Sequence, residues 1–181
     1  MTTFEEKKDH ATRIVCVLEG FQKSRGKLAE LRRCVSGPDP RNSVHAHRFV
    51  VPLLPKKCSE DEERAYYMAV ALWANHDTHC VPGVTLACAL ANAVARDPNA
   101  SRRVERRFSN TIDSHIDDLM YHLKDLITLT DGGIDWAALI MDICSWSRED
   151  KGVQHRWARE FWRRRSTVET EDDSAVEAAV S

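Results

Sequence analysis

The sequence predicts an all-α protein, a helical bundle in two subdomains, and three observations carry that expectation. Its 7 glycines and 6 prolines are few and sit at junctions between periodic segments. Apolar residues recur three and four apart through nearly every segment, the signature of helices with one buried face. No stretch alternates apolar and polar residues as a half-buried strand would, and no internal repeat is present.

Taken in order, the first helix is expected from about Thr3, with Ala11, Ile14, Leu18 and Phe21 on one face. A second begins near Gly26, with Leu28, Leu31 and Val35 in step, and Ser36-Gly37-Pro38-Asp39-Pro40 ends it. A short helical piece from Val44 to Val51 stops at Pro52 and Pro55, whose rings do not fit a helix interior. Ser59 opens the next helix with Glu62 three residues on, a capping box, and Ala65, Met68, Leu72 and Trp73 form its inward stripe. His76 to Gly83 reads as a loop and as the junction between halves. Leu86, Leu90 and Val94 continue helically, and Asp97-Pro98 caps a helix that holds Arg102 to Phe108. Ile112, Ile116, Leu119, Met120, Leu123, Leu126 and Ile127 mark one face of a long periodic run closed by Gly132-Gly133. Asp135 caps a helix that places Trp136, Leu139, Ile140, Ile143 and Trp146 inward, and a last helix brings Trp157 and Phe161 together. The expected division is 1–80, 81–165 and an acidic tail, 166–181, expected to be disordered.

A chain of 181 residues can bury a core without covalent staples. The six cysteines stand singly with no CxxC pair, which suggests small buried hydrophobes in a reducing compartment and hence a cytoplasmic protein. Met1 to Asp9 is polar, and no apolar run approaches the ~18 residues of a membrane span, so neither secretion nor membrane contact is signalled.

A net charge of -2 does not by itself announce a binder of polyanions. Distribution matters more than the sum. The tail after Arg165 carries Glu169, Glu171, Asp172, Asp173 and Glu177 and no basic residue, so the rest of the chain holds all 26 basic residues against 23 of the 28 acidic ones. Within that mildly basic body the arginines are clustered, as a backbone-binding stripe requires.

The strongest cluster is Arg102-Arg103-Val104-Glu105-Arg106-Arg107-Phe108. On a helix the four arginines share one face while Val104 and Phe108 point the opposite way, so the binding side and the core side separate. Guanidinium forks suit phosphate oxygens, and crowding four of them costs repulsion that an anion relieves. The simpler reading is a solvated face paired with nearby acids. A second cluster, Arg25, Lys27, Arg32 and Arg33, flanks the Leu28, Leu31 and Val35 stripe, and a third, Arg163 to Arg165, sits where a helix dipole favours cations anyway. No base-reading motif accompanies them, so contacts are expected to phosphate and sugar without sequence preference. His76-Asp77 with His79-Cys80, and His45 and His47 upstream, leave a metal-dependent hydrolase as one alternative, although a fourth ligand at diagnostic spacing is missing. A helical protein-interaction adaptor without direct nucleic-acid contact is another. No catalytic residue, metal or cofactor is assigned. Four of the five tryptophans fall on apolar stripes; Trp162 lies off the Trp157 and Phe161 face and is free to serve an interface.

One ordered series of motifs remains: Ala29-Glu30-Leu31-Arg32-Arg33, Leu86 to Asn92 (LACALAN), Glu105-Arg106-Arg107-Phe108, His122-Leu123-Lys124, Ile134-Asp135-Trp136 and Val153 to Phe161 (VQHRWAREF). In this order and spacing the chain resembles the CasB family, the small subunit of type I-E CRISPR Cascade surveillance complexes, from the first helix to Phe161. The resemblance implies a non-catalytic helical protein, present as two copies head to tail. It further implies contact with the backbone and large subunits of Cascade, with guide RNA, and with the target and displaced DNA strands of the R-loop. Carried over onto matching positions, the binding residues are Arg32, Arg33, Arg106, Arg107 and Lys124. Arg102 and Arg103 come from the helix face alone, and Lys27 from the second cluster. Between Phe108 and Leu119 this chain is less basic than the family pattern.

Overall fold

The computed structural model describes residues 4–35, 39–76, 80–130 and 132–179, the side chains of Cys34, Val35 and 167–179 excepted. Among the described residues nine α-helices carry the fold: α1 Phe4–Gln22, α2 Arg25–Val35, α3 Val44–Val50, α4 Glu60–Asn75, α5 Leu86–Arg96, α6 Ser101–Ile112, α7 Ile116–Ile127, α8 Trp136–Cys144 and α9 Gly152–Ala179. Single 3-10 turns at Pro40–Asn42, Val51–Leu53 and Pro98–Ala100 each take a proline in their first two positions, where its fixed φ fits and its missing N–H costs nothing. There is no strand among the described residues, and no helix formed by them is long and apolar enough to cross a membrane.

Local chemistry sets the helix starts. Ser59 Oγ accepts from the Glu62 backbone at 3.2 Å while the Ser59 N–H donates to Glu62 Oε2 at 3.1 Å, the reciprocal box expected at α4. Thr85 caps α5 through the Cys88 N–H at 3.1 Å, and Asp135 caps α8 through the Ala138 N–H at 2.9 Å. Asp97 caps the Pro98–Ala100 turn, accepting from Asn99 N–H at 3.1 Å, and α6 follows only from Ser101.

Three further expectations are altered. The periodic run from Ile112 to Ile127 is two helices, because residues 113–115 turn the chain between them. Ser114 Oγ donates to the Thr111 carbonyl at 2.7 Å and the His115 side chain caps α7, so short polar groups bond the backbone locally in place of helix continuation. The apolar spacing survives the break because a compact turn also returns Ile116 to the core. The cysteines are not uniformly buried: Cys88 is, Cys58, Cys80 and Cys144 are half-buried, and Cys16 is exposed between the inward residues of α1. Burial pushes the Cys58 thiol up to about 11 and that of Cys144 to about 12, which keeps both protonated and unreactive near neutral pH. Helix α9 runs through Ala179, over residues expected to be disordered; no glycine or proline follows Gly152 to stop it.

The packing groups the helices in an order that differs from the chain. Helices α1 to α4 associate with α8, while α5, α6, α7 and α9 form a second group. Helix α8 therefore leaves the half of the chain it belongs to and packs on α1 and α4. All ten residues from Ala65 to Ala74 are buried, so α4 is enclosed on every side, and its alanines let neighbours approach closely. One continuous apolar cluster joins both groups, from Ala11 of α1 to Phe161 of α9. The crossover is clamped where residues 80–84 meet 134–135. Val81 N–H donates to Ile134 O at 3.0 Å, Asp135 N–H to Val84 O at 2.7 Å, and Gly83 N–H to Asp135 Oδ2 at 2.8 Å. Gly83 holds a φ of 81°, a left-handed turn that suits glycine.

Candidate nucleic-acid interface

Helix α6 separates its two faces as the sequence predicts. Val104, Phe108 and Thr111 are buried, while Arg102, Arg103 and Arg106 are exposed and Arg107 is half-buried. Phe108 stacks on Phe161 of α9, ring centres 4.3 Å apart at 28°, and this contact fixes which side of α6 faces outward. The flanks of the arginine face are pinned by ion pairs to the neighbouring helices. On one side Glu105 pairs with Arg165 of α9; on the other Arg107 Nη1 lies 3.6 Å from Asp125 Oδ2 of α7. The contacts 105 to 165 and 108 to 161 run in opposite senses, so α6 and α9 are antiparallel.

Arg102, Arg103 and Arg106 form no side-chain ion pair or hydrogen bond with any described residue. Three guanidinium groups within two turns, exposed and with no described carboxylate engaging them, present forks for phosphate oxygens and no chemistry beyond binding. Arg107 differs from its three neighbours, since Asp125 engages it.

The remaining residues from the sequence divide between the two helix groups. Lys124 is half-buried on α7, next in sequence to Asp125, the residue that pairs with Arg107. Lys27, Arg32 and Arg33 lie on α2, which packs on α1, α3 and α4, whereas α6 packs on α5, α7 and α9. Arg32 Nε donates to the Ala74 carbonyl at 2.5 Å, in the last turn of α4, where helix carbonyls lack partners and a cation is favoured. Arg32 thus ties α2 to α4. Arg33 Nε donates to the Ala29 carbonyl of its own helix at 3.4 Å, and Lys27 is exposed. In the third cluster Arg164 donates to Asn92 Oδ1 at 3.3 Å and Arg165 is held by Glu105.

Sequence reasoning missed one opening of mixed charge. A groove of about 690 Å³ beside α1 is bordered by Lys7, Arg13, Lys56 and Lys57 together with Glu6 and Glu62, and it brings together two stretches more than forty positions apart whose convergence no local pattern shows. Of the histidine-rich loop, Asp77, Thr78 and His79 lie outside the described residues. His47 Nδ1 meets the Tyr67 hydroxyl at 2.5 Å, a structural contact beneath α3. Among the described residues, no group of three or more His, Cys, Asp or Glu side chains is placed to hold a metal ion.

Comparison with known proteins adds a family. Residues 27–162 match the model for CRISPR-associated protein Cse2. A Cse2 protein of Thermus thermophilus is 34% identical over 146 residues, which is 80% of this chain and 83% of that protein. Among solved structures, CasB from Thermus thermophilus is 31% identical with a TM-score of 0.72, covering 84% of this chain and 97% of that one. The CasB of M. ruber is 27% identical with a TM-score of 0.70, covering 89% and 97%. A chain of a CRISPR RNA-guided surveillance complex is 25% identical with a TM-score of 0.75, covering 92% and 99%.

Proposed function

The chain belongs to the Cse2 family of CRISPR-associated proteins, and from that premise we propose that it is the non-catalytic small subunit of a type I-E Cascade complex, gripping nucleic-acid backbone without sequence preference. Its role there is to stabilise the R-loop formed by guide RNA and target DNA, including the displaced strand. The observation that carries this reading is the α6 face: Arg102, Arg103 and Arg106 are exposed and unpaired among the described residues, opposite a face locked into the core by Phe108 on Phe161. Three fixed cations on a rigid helix bind a polyanion by releasing its counterions, and that interaction reads no bases.

The likeness to a chain of an RNA-guided surveillance complex supports the setting. A net charge of -2 gives the isolated chain little long-range attraction for nucleic acid, so the face works best where other subunits, a second copy of the chain and the guide RNA already hold the strands close. Arg107 of α6 and Lys124 of α7 extend the face towards α7. Lys27 and Arg33 on α2 offer a separate contact from the first helix group, and Arg32 contributes there mainly by fixing α2 against α4.

The test is charge reversal of Arg103→Glu with Arg106→Glu in the assembled complex. R-loop formation on a matched duplex is expected to weaken at least about tenfold with a flatter salt dependence. Unchanged R-loop formation by a fully assembled variant would overturn the reading. Loss of assembly with nucleic-acid affinity intact would favour the adaptor reading instead.

A further inference from the structure

The two helices that flank α6, α7 and α9, each carry an exposed aromatic side chain. On the α9 flank, Trp162 is 43% exposed, while Trp73, Trp136, Trp146 and Trp157 are all buried. Its indole packs edge-on against Phe161 at 5.0 Å, Phe161 is itself stacked on Phe108, and Arg165 lies 5.6 Å from the indole centre while pairing with Glu105 of α6. On the α7 flank, Tyr121 is 70% exposed, with the His122 ring edge-on at 5.5 Å. Tyr121 stands one turn before Asp125, the residue that holds Arg107, and so shares the α7 face that borders the arginines. Of the carboxylates one turn from Tyr121, Asp117 is committed to Arg64 and Asp125 to Arg107, while Asp118 is exposed with no side-chain partner among the described residues.

Exposed aromatic rings offer flat apolar faces on which a ligand can stack. Beside a row of exposed guanidinium groups they match the two halves of a single strand: phosphates for the arginines, unstacked base faces for the rings. A duplex offers only the first, since its bases are stacked and paired. We infer that Tyr121 and Trp162 are stacking platforms for unpaired bases, so that the α6 face takes single-stranded nucleic acid in preference to duplex. This rests on the backbone-binding reading and adds the class of strand that the face selects.

The test compares full-length protein binding to an oligothymidylate and to an abasic strand of equal length and phosphate count, at one ionic strength, for wild type, Tyr121→Ala and Trp162→Ala. Wild type is expected to hold the thymidylate at least about tenfold tighter than the abasic strand. Each substitution should lower thymidylate affinity towards the abasic value while leaving abasic affinity unchanged. Equal wild-type affinity for the two strands, or variants that bind thymidylate as wild type does, would overturn the inference while leaving backbone binding intact. Failure of wild type to bind either strand at low salt would contradict the backbone reading itself, and the inference with it. A readout on wild type alone guards against misfolded variants: Trp162 is the exposed tryptophan, so thymidylate should shield acrylamide-accessible fluorescence and the abasic strand should not. Equal shielding by both strands counts against stacking.

Discussion

Asp142 is the most consequential single side chain that sequence reasoning passed over. It sits on the inward stripe of α8, buried, where its Oδ2 accepts from Trp157 Nε1 at 2.6 Å and Oδ1 pairs with Arg156, both on α9. Burial pushes its carboxyl up, opposed by Arg156 and the Trp157 hydrogen bond. Because α8 packs in the first helix group and α9 in the second, this carboxylate stitches the groups together. Asp142→Ala leaves a buried indole N–H without an acceptor and is expected to cost about 1–3 kcal/mol in chemical denaturation, with Asp142→Asn costing less because an acceptor remains. Equal costs for the two variants would show that the Trp157 bond contributes nothing. The sequence hid Asp142 because its partners lie 14 and 15 residues away on another helix, beyond any helical period. Phe108, by contrast, was legible, since its place opposite the arginines follows from local spacing alone.

Single elements were legible to the degree that their signals are local. The Ser59 and Glu62 box, the Asp135 cap and the inward stripes of α5 and α8 follow from spacing within one or two turns. The break between α6 and α7 did not, because the apolar period crosses it unbroken while the decision belongs to the hydroxyl of Ser114 and the ring of His115. The cap of α4 also carries a pH dependence. A hydrogen bond from Lys7 holds the Glu62 carboxyl below its ordinary value, with the Ser59 backbone assisting against burial. A carboxyl whose folded pKa is lowered stabilises the fold above its unfolded value, near 4.5, and loses that contribution as pH falls through the folded value. Glu62→Gln keeps an acceptor for the Ser59 N–H but not the titration, so its thermal stability should fall less steeply than that of wild type below about pH 4.5. Identical acid limbs would remove Glu62 from the account.

At the scale of the molecule, the sequence-based division at residue 80 cuts across the packing, because α8 completes the group formed by α1 to α4. A fragment of residues 1–80 would expose the faces of α1 and α4 that α8 covers, and it is expected to show no cooperative unfolding transition by circular dichroism. A sharp two-state transition would mean that the first four helices suffice. No sequence period could report this crossover, which depends on residues far apart in the chain, whereas the arginine face lay within one segment and was readable from it. That face carries the functional account, and the most direct test is a salt-series titration of the purified chain on single-stranded nucleic acid. Wild type is set beside an Arg102→Ala, Arg103→Ala, Arg106→Ala variant, with folding of both checked by circular dichroism. If the three exposed arginines neutralise phosphates, the variant binds more weakly and its log–log salt slope is shallower by about two, at roughly 0.7 for each phosphate left without its arginine. An unchanged slope and affinity in the folded variant would contradict the account.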